Sequence, residues 1–151
     1  MNSLKRILLV EDSSRDAELV MDALKEHLLA NEVVHLQDGA EALDYLYQRG
    51  DFAARPEGLP AVILLDLKMP KVDGLEVLRQ LKGDAKLKVI PVVVMTSSRE
   101  EQDLIRSYEL GVNAYVVKPV KFQGFVEAVK QLGVFWAVLN EPPPGTAGRQ
   151  L

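Results

Sequence analysis

The chain contains no cysteine. Disulfides, thiolate metal sites and cysteine nucleophiles are therefore excluded. It has no run of lysine and arginine that could track a phosphate backbone, and its formal net charge of -4 argues against a general nucleic-acid binder. No stretch approaches the ~18 apolar residues that a membrane helix needs. The N-terminus, Met1 to Arg6, runs into only four apolar residues before Glu11 and Asp12, too few for the core of a signal peptide. Nor does a glycine-rich loop follow that first apolar run, as nucleotide binding would ask. Internal repeats are lacking as well. A soluble, cytoplasmic protein is the expectation.

What is present suits one domain with one core: 151 residues, of which 48% are hydrophobic and 26% charged. Five short apolar runs stand out, Ile7 to Val10, Val33 to Leu36, Val62 to Leu65, Ile90 to Met95 and Ala114 to Val117. They do not alternate with polar residues, as expected of strands buried on both faces of a parallel sheet. Between them the spacing turns helical. Ala17, Val20, Leu24 and Leu28 share a face, as do Leu75, Leu78 and Leu81. Leu104 and Tyr108 do so ahead of Gly111, and Phe122, Phe125, Val126, Val129, Leu132 and Trp136 form the longest stripe. Ala40 to Gln48 is a shorter candidate. Strand and helix thus alternate five times, which predicts a doubly wound α/β domain. Arg49 to Pro60, with two glycines and two prolines, reads as a long loop. The domain is expected to span 1–140, and the proline-rich 141–151 to be a disordered tail.

In open α/β sheets, sites form outside the carboxyl ends of the strands. Glu11 and Asp12 follow the first run, Asp66 the third, Thr96 the fourth and Lys118 the fifth. Gln37 and Asp38, after the second, look less like a site. If the strand order is 2-1-3-4-5, three carboxylates converge at the switch point, where like charges repel unless a cation intervenes. Lys118 supplies one positive charge. A divalent ion would supply more, and hard oxygen ligands without His or Cys suit Mg2+ rather than zinc. Each group alone has a plainer reading: an aspartate after a strand often caps a helix, a threonine packs, a lysine is solvated. Their joint placement at strand ends favours a site.

The residues Ile-Leu-Leu-Val-Glu11-Asp12, Leu-Leu-Asp66-Leu-Lys-Met69-Pro70 with Gly74, Val-Met-Thr96-Ser97 and Tyr115-Val-Val-Lys118-Pro119 resemble, in order and at family spacing, the receiver domains of two-component response regulators. The likeness covers about Lys5 to Leu139. It implies a flavodoxin-like sheet of five parallel strands in the order 2-1-3-4-5; a chemotaxis regulator of this family is the standard illustration of that order. It also implies a phospho-accepting signalling protein rather than an enzyme. Asp66 would take a phosphoryl group from the phosphohistidine of a histidine kinase. Glu11, Asp12, Asp66 and the backbone carbonyl of Lys68 would hold Mg2+. Lys118 and Thr96 would contact the phosphoryl oxygens. Thr96 and Tyr115 would be switch residues acting on a surface of the fourth helix, fifth strand and fifth helix. Gly74, Ser97 and Pro119 would be conformational positions, the last with a cis peptide bond. Lys68 and Ser98 occupy places that tune the family's phosphate lifetime.

The Arg49 to Pro60 connection and the Phe135-Trp136-Ala-Val138-Leu139 extension resemble the stand-alone regulators that partner bacterial phytochrome kinases. That subgroup often dimerises through the same fourth-helix, fifth-strand, fifth-helix surface, so a homodimer is an expectation. Burial of Phe135 and Trp136 against the chain's own core is the alternative. A haloacid-dehalogenase-type phosphatase also uses an aspartyl phosphate and Mg2+. It would place Asp-x-Asp after the first strand, where this chain reads Glu11-Asp12-Ser13. A pseudo-receiver would lack one of the acidic or lysine positions, and none is missing.

Overall fold

The computed structural model describes residues 5–25, 31–55, 58–67, 69, 74–96 and 114–131. Its strands are β1 (Lys5–Val10), β2 (Asn31–Leu36), β3 (Val62–Asp66), β4 (Val92–Thr96) and β5 (Tyr115–Val117). The described α-helices are α1 (Ser14–Lys25), α2 (Gly39–Tyr47), α3 (Gly74–Lys82) and α4 (Phe122–Gln131). The expected helix around Leu104 and Tyr108 lies outside the described residues, so α4 is the fifth helical segment of the sequence. Leu28, Lys68, Ser97, Ser98, Phe135, Trp136 and the expected tail also lie outside them.

All strand pairs are parallel and the sheet order is β2-β1-β3-β4-β5. The central strands β1, β3 and β4 are buried on both faces, with successive residues divided between them as the pleat requires, whereas β2 and β5 lie at the sheet edges and are partly exposed, contrary to the expectation for all five runs. Leu8, Val10, Ile63, Leu65 and Val94 pack on one face with Ala42, Leu46, Val77, Leu78 and Leu81 of α2 and α3. Ile7, Leu9, Val62, Leu64, Val93 and Met95 pack on the other with Ala17, Val20, Leu24, Phe125 and Val129 of α1 and α4. Right-handed crossovers explain the division. The chain steps one way from β1 to β2 through α1, then the other way through α2 and α3, which puts these helices on opposite faces.

Some boundaries move. Ile90 and Pro91 precede β4 rather than opening it, and the Pro91 carbonyl accepts the Ile63 N–H at 2.9 Å. Proline has no N–H to give a ladder. The expected Arg49 to Pro60 loop holds local structure among its described residues. It contains a 3-10 turn at Gly50–Phe52. The Phe52 ring meets Tyr45 edge-on with centroids 5.3 Å apart. The Arg55 guanidinium lies 4.2 Å over the Tyr45 ring, its Nε donates to the Tyr45 carbonyl at 2.7 Å, and Arg6 donates to the Tyr45 hydroxyl at 2.7 Å. One buried aromatic therefore anchors the connection, a tertiary effect that glycine and proline counts do not carry.

Asp38, beyond β2, is a helix cap. It has extended backbone, and its carboxylate accepts the Glu41 N–H at 2.8 Å, while Glu41 accepts the Gln37 N–H at 2.6 Å. Asp38→Ala is expected to lower stability by about 1 kcal/mol. The urea midpoint should fall with an unchanged slope; an unchanged midpoint would show that the cap contributes nothing.

Candidate functional site at the carboxyl end of the sheet

The ladder registers decide where the chemistry gathers. Val10 pairs with both Leu36 and Leu65, Asp66 with Met95, and Thr96 with Val117. Glu11, Asp12, Asp66, Thr96 and Lys118 therefore emerge along one edge, as expected at the switch point between β1 and β3. Asp66 is the last residue of β3 and 5% exposed. Glu11 is fully buried, held by its own N–H on the Leu36 carbonyl at 3.0 Å and by Ser13 N–H on its Oε2 at 3.1 Å. Asp12 is exposed. Oxygens of these three carboxylates lie within 4.8 Å of one another.

Lys118 reaches into this group from the end of β5. Its Nζ lies 2.7 Å from Glu11 Oε1 and donates to Asp66 Oδ2 at 3.0 Å. Burial pushes the ammonium's pKa down, but the close contacts with Glu11 and Asp66 and their charges outweigh it, so Lys118 sits above its ordinary value. For Glu11, burial dominates. It raises the carboxyl to about 7 against the pull of Lys118, with the Asp66 charge adding to the rise. Glu11 Oε1, although beside Lys118, makes no hydrogen bond of good angle. One ammonium thus leaves a buried oxygen under-served and an acidic cluster under-neutralised. Three hard oxygen donors with a surplus of negative charge fit a divalent cation of the Mg2+, Ca2+ or Mn2+ class.

Gly74 fixes the backbone behind Asp66. It opens α3, and its N–H donates to the Leu67 carbonyl at 3.0 Å. A Cβ there would stand 2.1 Å from the Asp66 carbonyl oxygen and 2.6 Å from Leu67 Cα. No side chain fits so close to backbone, so α3 and Asp66 can approach this closely only with glycine. The Lys118–Pro119 peptide is cis. Tyr115 is 39% exposed and Val117 54% exposed on β5. Thr96 ends β4, while Lys68 and Ser97 lie outside the described residues.

A receiver-domain model matches residues 7–130 of the chain. The chain belongs to the response regulator receiver domain family. Receivers in this family have the general role of being phosphorylated by a kinase, which marks the chain as a signalling protein. It is 44% identical to the response regulator Rcp1 of Synechocystis sp., over 89% of this chain and 90% of that protein. The structure of the Mn2+-bound form of Rcp1 is 42% identical, with a TM-score of 0.73 over 93% of this chain and 99% of that one. The bacteriophytochrome response regulator RtBRR is 64% identical, with a TM-score of 0.82 over 97% of this chain and 90% of that one. The phosphorylated cyanobacterial phytochrome response regulator RcpA is 41% identical, with a TM-score of 0.75 over 95% of this chain and 100% of that one. The receiver resemblance, its phytochrome-associated subgroup and the 2-1-3-4-5 fold are thereby borne out. Among the described residues no helix is long and apolar enough to cross a membrane.

Three residues of this receiver's site escaped the sequence reading. Ser13 orients Glu11; His35 Nε2 donates to the Glu11 carbonyl at 2.8 Å; and Asp16 Oδ2 lies 3.5 Å from Lys118 Nζ. Ser13-x-x-Asp16 had a readable capping pattern, whereas His35 had no local signal.

The raised pKa of Glu11 has a consequence for stability. The fold favours the neutral carboxyl, so this contribution is full below the ordinary 4.5 and is lost as the pH rises to about 7. Without divalent ions, the wild type should lose stability relative to Glu11→Gln across that window. Urea midpoints measured in steps of pH check this; parallel curves would refute it.

Proposed function

We propose that Asp66 is the phospho-acceptor of this receiver, and that Glu11, Asp12 and Asp66 hold Mg2+ with the backbone carbonyl of Lys68 as a further ligand. The observation that carries this reading is the contact of Lys118 Nζ with both Asp66 and Glu11 inside a cluster of three carboxylates. An Asp66 carboxylate oxygen attacks the phosphorus of a phosphohistidine. The P–N bond breaks, its electron pair stays on the imidazole, and Asp66 becomes an acyl phosphate. Such a transfer asks mainly for positioning and charge neutralisation. Mg2+, when bound, supplies positive charge against the phosphoryl oxygens. Lys118 passes to a phosphoryl oxygen, and the Thr96 hydroxyl donates to another. Gly74 keeps the acceptor's backbone in place, Ser97 leaves Thr96 room, and cis Pro119 completes the loop that carries Lys118.

Phosphorylation adds roughly -1.5 to -2 charges at a fixed point. It biases an existing two-state element, here the surface formed by β5, α4 and the segment around Leu104 and Tyr108. Tyr115 is the switch aromatic of this reading, and its exposure on β5 is compatible with an outward resting position. The similarity to RtBRR and RcpA supports a phytochrome-type histidine kinase as donor. The apolar Val117 beside Tyr115 supports a homodimer through the same surface. The reading includes cytoplasmic location and no direct contact with nucleic acid or membrane.

Incubation with acetyl phosphate and Mg2+, followed by intact mass, tests the acceptor. One phosphoryl group is expected in the wild type and in Tyr115→Ala, and none in Asp66→Asn. Loss of label on chelation should accompany it. Label retained in Asp66→Asn would overturn the assignment. Sedimentation of the labelled proteins should show dimer for wild type and less for Tyr115→Ala; a monomer throughout would remove the dimer.

A further inference from the structure

Asp16 stands in the first turn of α1, where its carboxylate has a local use that it does not take. Ser13 caps the helix: its Oγ accepts the Asp16 N–H at 3.1 Å, and its carbonyl accepts the Ala17 N–H at 2.9 Å. In such a start, a carboxylate three residues beyond the cap can accept the cap residue's own N–H and close the box. Here Ser13 N–H goes to Glu11 Oε2 at 3.1 Å, and Asp16 Oδ2 lies 3.5 Å from Lys118 Nζ.

Lys118 therefore has three carboxylate partners of unequal kind. Glu11 and Asp66 are nearly buried, with side chains 1% and 8% exposed, whereas the Asp16 side chain is 42% exposed at the mouth. The buried two are the oxygens that a divalent ion would take, and on that reading this inference rests. An ammonium and a divalent cation on the same carboxylates repel each other, so binding of the ion favours release of these oxygens by Lys118. The ammonium then needs somewhere to go. A small open recess lined by Asp16, Leu19, Val20, Lys118, Pro119 and Val120 adjoins it, with Asp16 as its acidic group.

We propose that Asp16 is a positioning residue for Lys118, the carboxylate that holds the ammonium at the mouth of the site when a divalent ion takes Glu11 and Asp66. It acts through the lysine and need not touch the ion. Its charge keeps Lys118 poised beside the acceptor instead of leaving it to compete for the ligands.

Mn2+ binding by the full chain, read from the electron paramagnetic resonance of the free ion, tests this in the wild type and variants. Asp16→Asn should weaken binding by about two- to fivefold, the scale of a half-exposed ion pair. Asp16→Glu should restore it. In Lys118→Met no ammonium has to move, so Mn2+ should bind more tightly than in the wild type, and adding Asp16→Asn should then change little. Equal binding by Asp16→Asn and wild type would overturn the inference. So would the same loss in both backgrounds, which would mean that Asp16 acts on the ion as a bare charge. A wild type that binds no Mn2+ would overturn the metal reading and this inference with it.

Discussion

The structure turns on the contact of Lys118 with Glu11 and Asp66. It joins residues 52 positions apart, Asp66 at the end of β3 and Lys118 beyond β5, with Glu11 beyond β1 on the same ammonium. Removing one partner of a buried pair costs about 3–5 kcal/mol, because the other charge is left without compensation. The three groups therefore hold one another in place, and none is well served alone. Burial lifts Glu11 toward neutrality while Lys118 pulls it back.

The sheet exists to make that contact possible. Parallel registers bring the carboxyl ends of β1, β3, β4 and β5 to one edge, and the two distinct core clusters fix the register, since a slip of one residue would carry each buried set to the opposite face, against the wrong helices. Gly74 then lets α3 start against the backbone of Asp66 itself. Asp66 is thus held from behind by backbone packing and from the front by an ion pair. Preorganisation of this kind is what phosphoryl transfer asks of a protein.

Much of this was legible in the sequence, for specific reasons. Doubly buried strands leave continuous apolar runs, and the residue after each run is where α/β sheets put chemistry; Glu11, Asp12, Asp66 and Lys118 were found that way. What was not legible depends on partners distant in sequence. Tyr45 looked like one more residue of a short helix, yet it anchors the Arg49 to Pro60 connection through Phe52, Arg55 and Arg6. Asp38, by contrast, has the local partner Glu41 and is the helix cap that an aspartate after a strand often is. Asp16 was not singled out from the sequence, and only the position of Lys118 Nζ gives it a place at the site.

The central claim is that one cluster binds the cation and receives the phosphoryl group, with Lys118 passing from carboxylate to phosphoryl oxygen. A crystal structure grown with Mg2+ and beryllofluoride tests it most directly. The account predicts beryllium bonded to an Asp66 carboxylate oxygen, the ion on Glu11, Asp12 and Asp66, and Lys118 Nζ within hydrogen-bond distance of a fluorine. Beryllofluoride seated on another carboxylate, or Lys118 still on Glu11 and Asp66 with the anion bound, would contradict it.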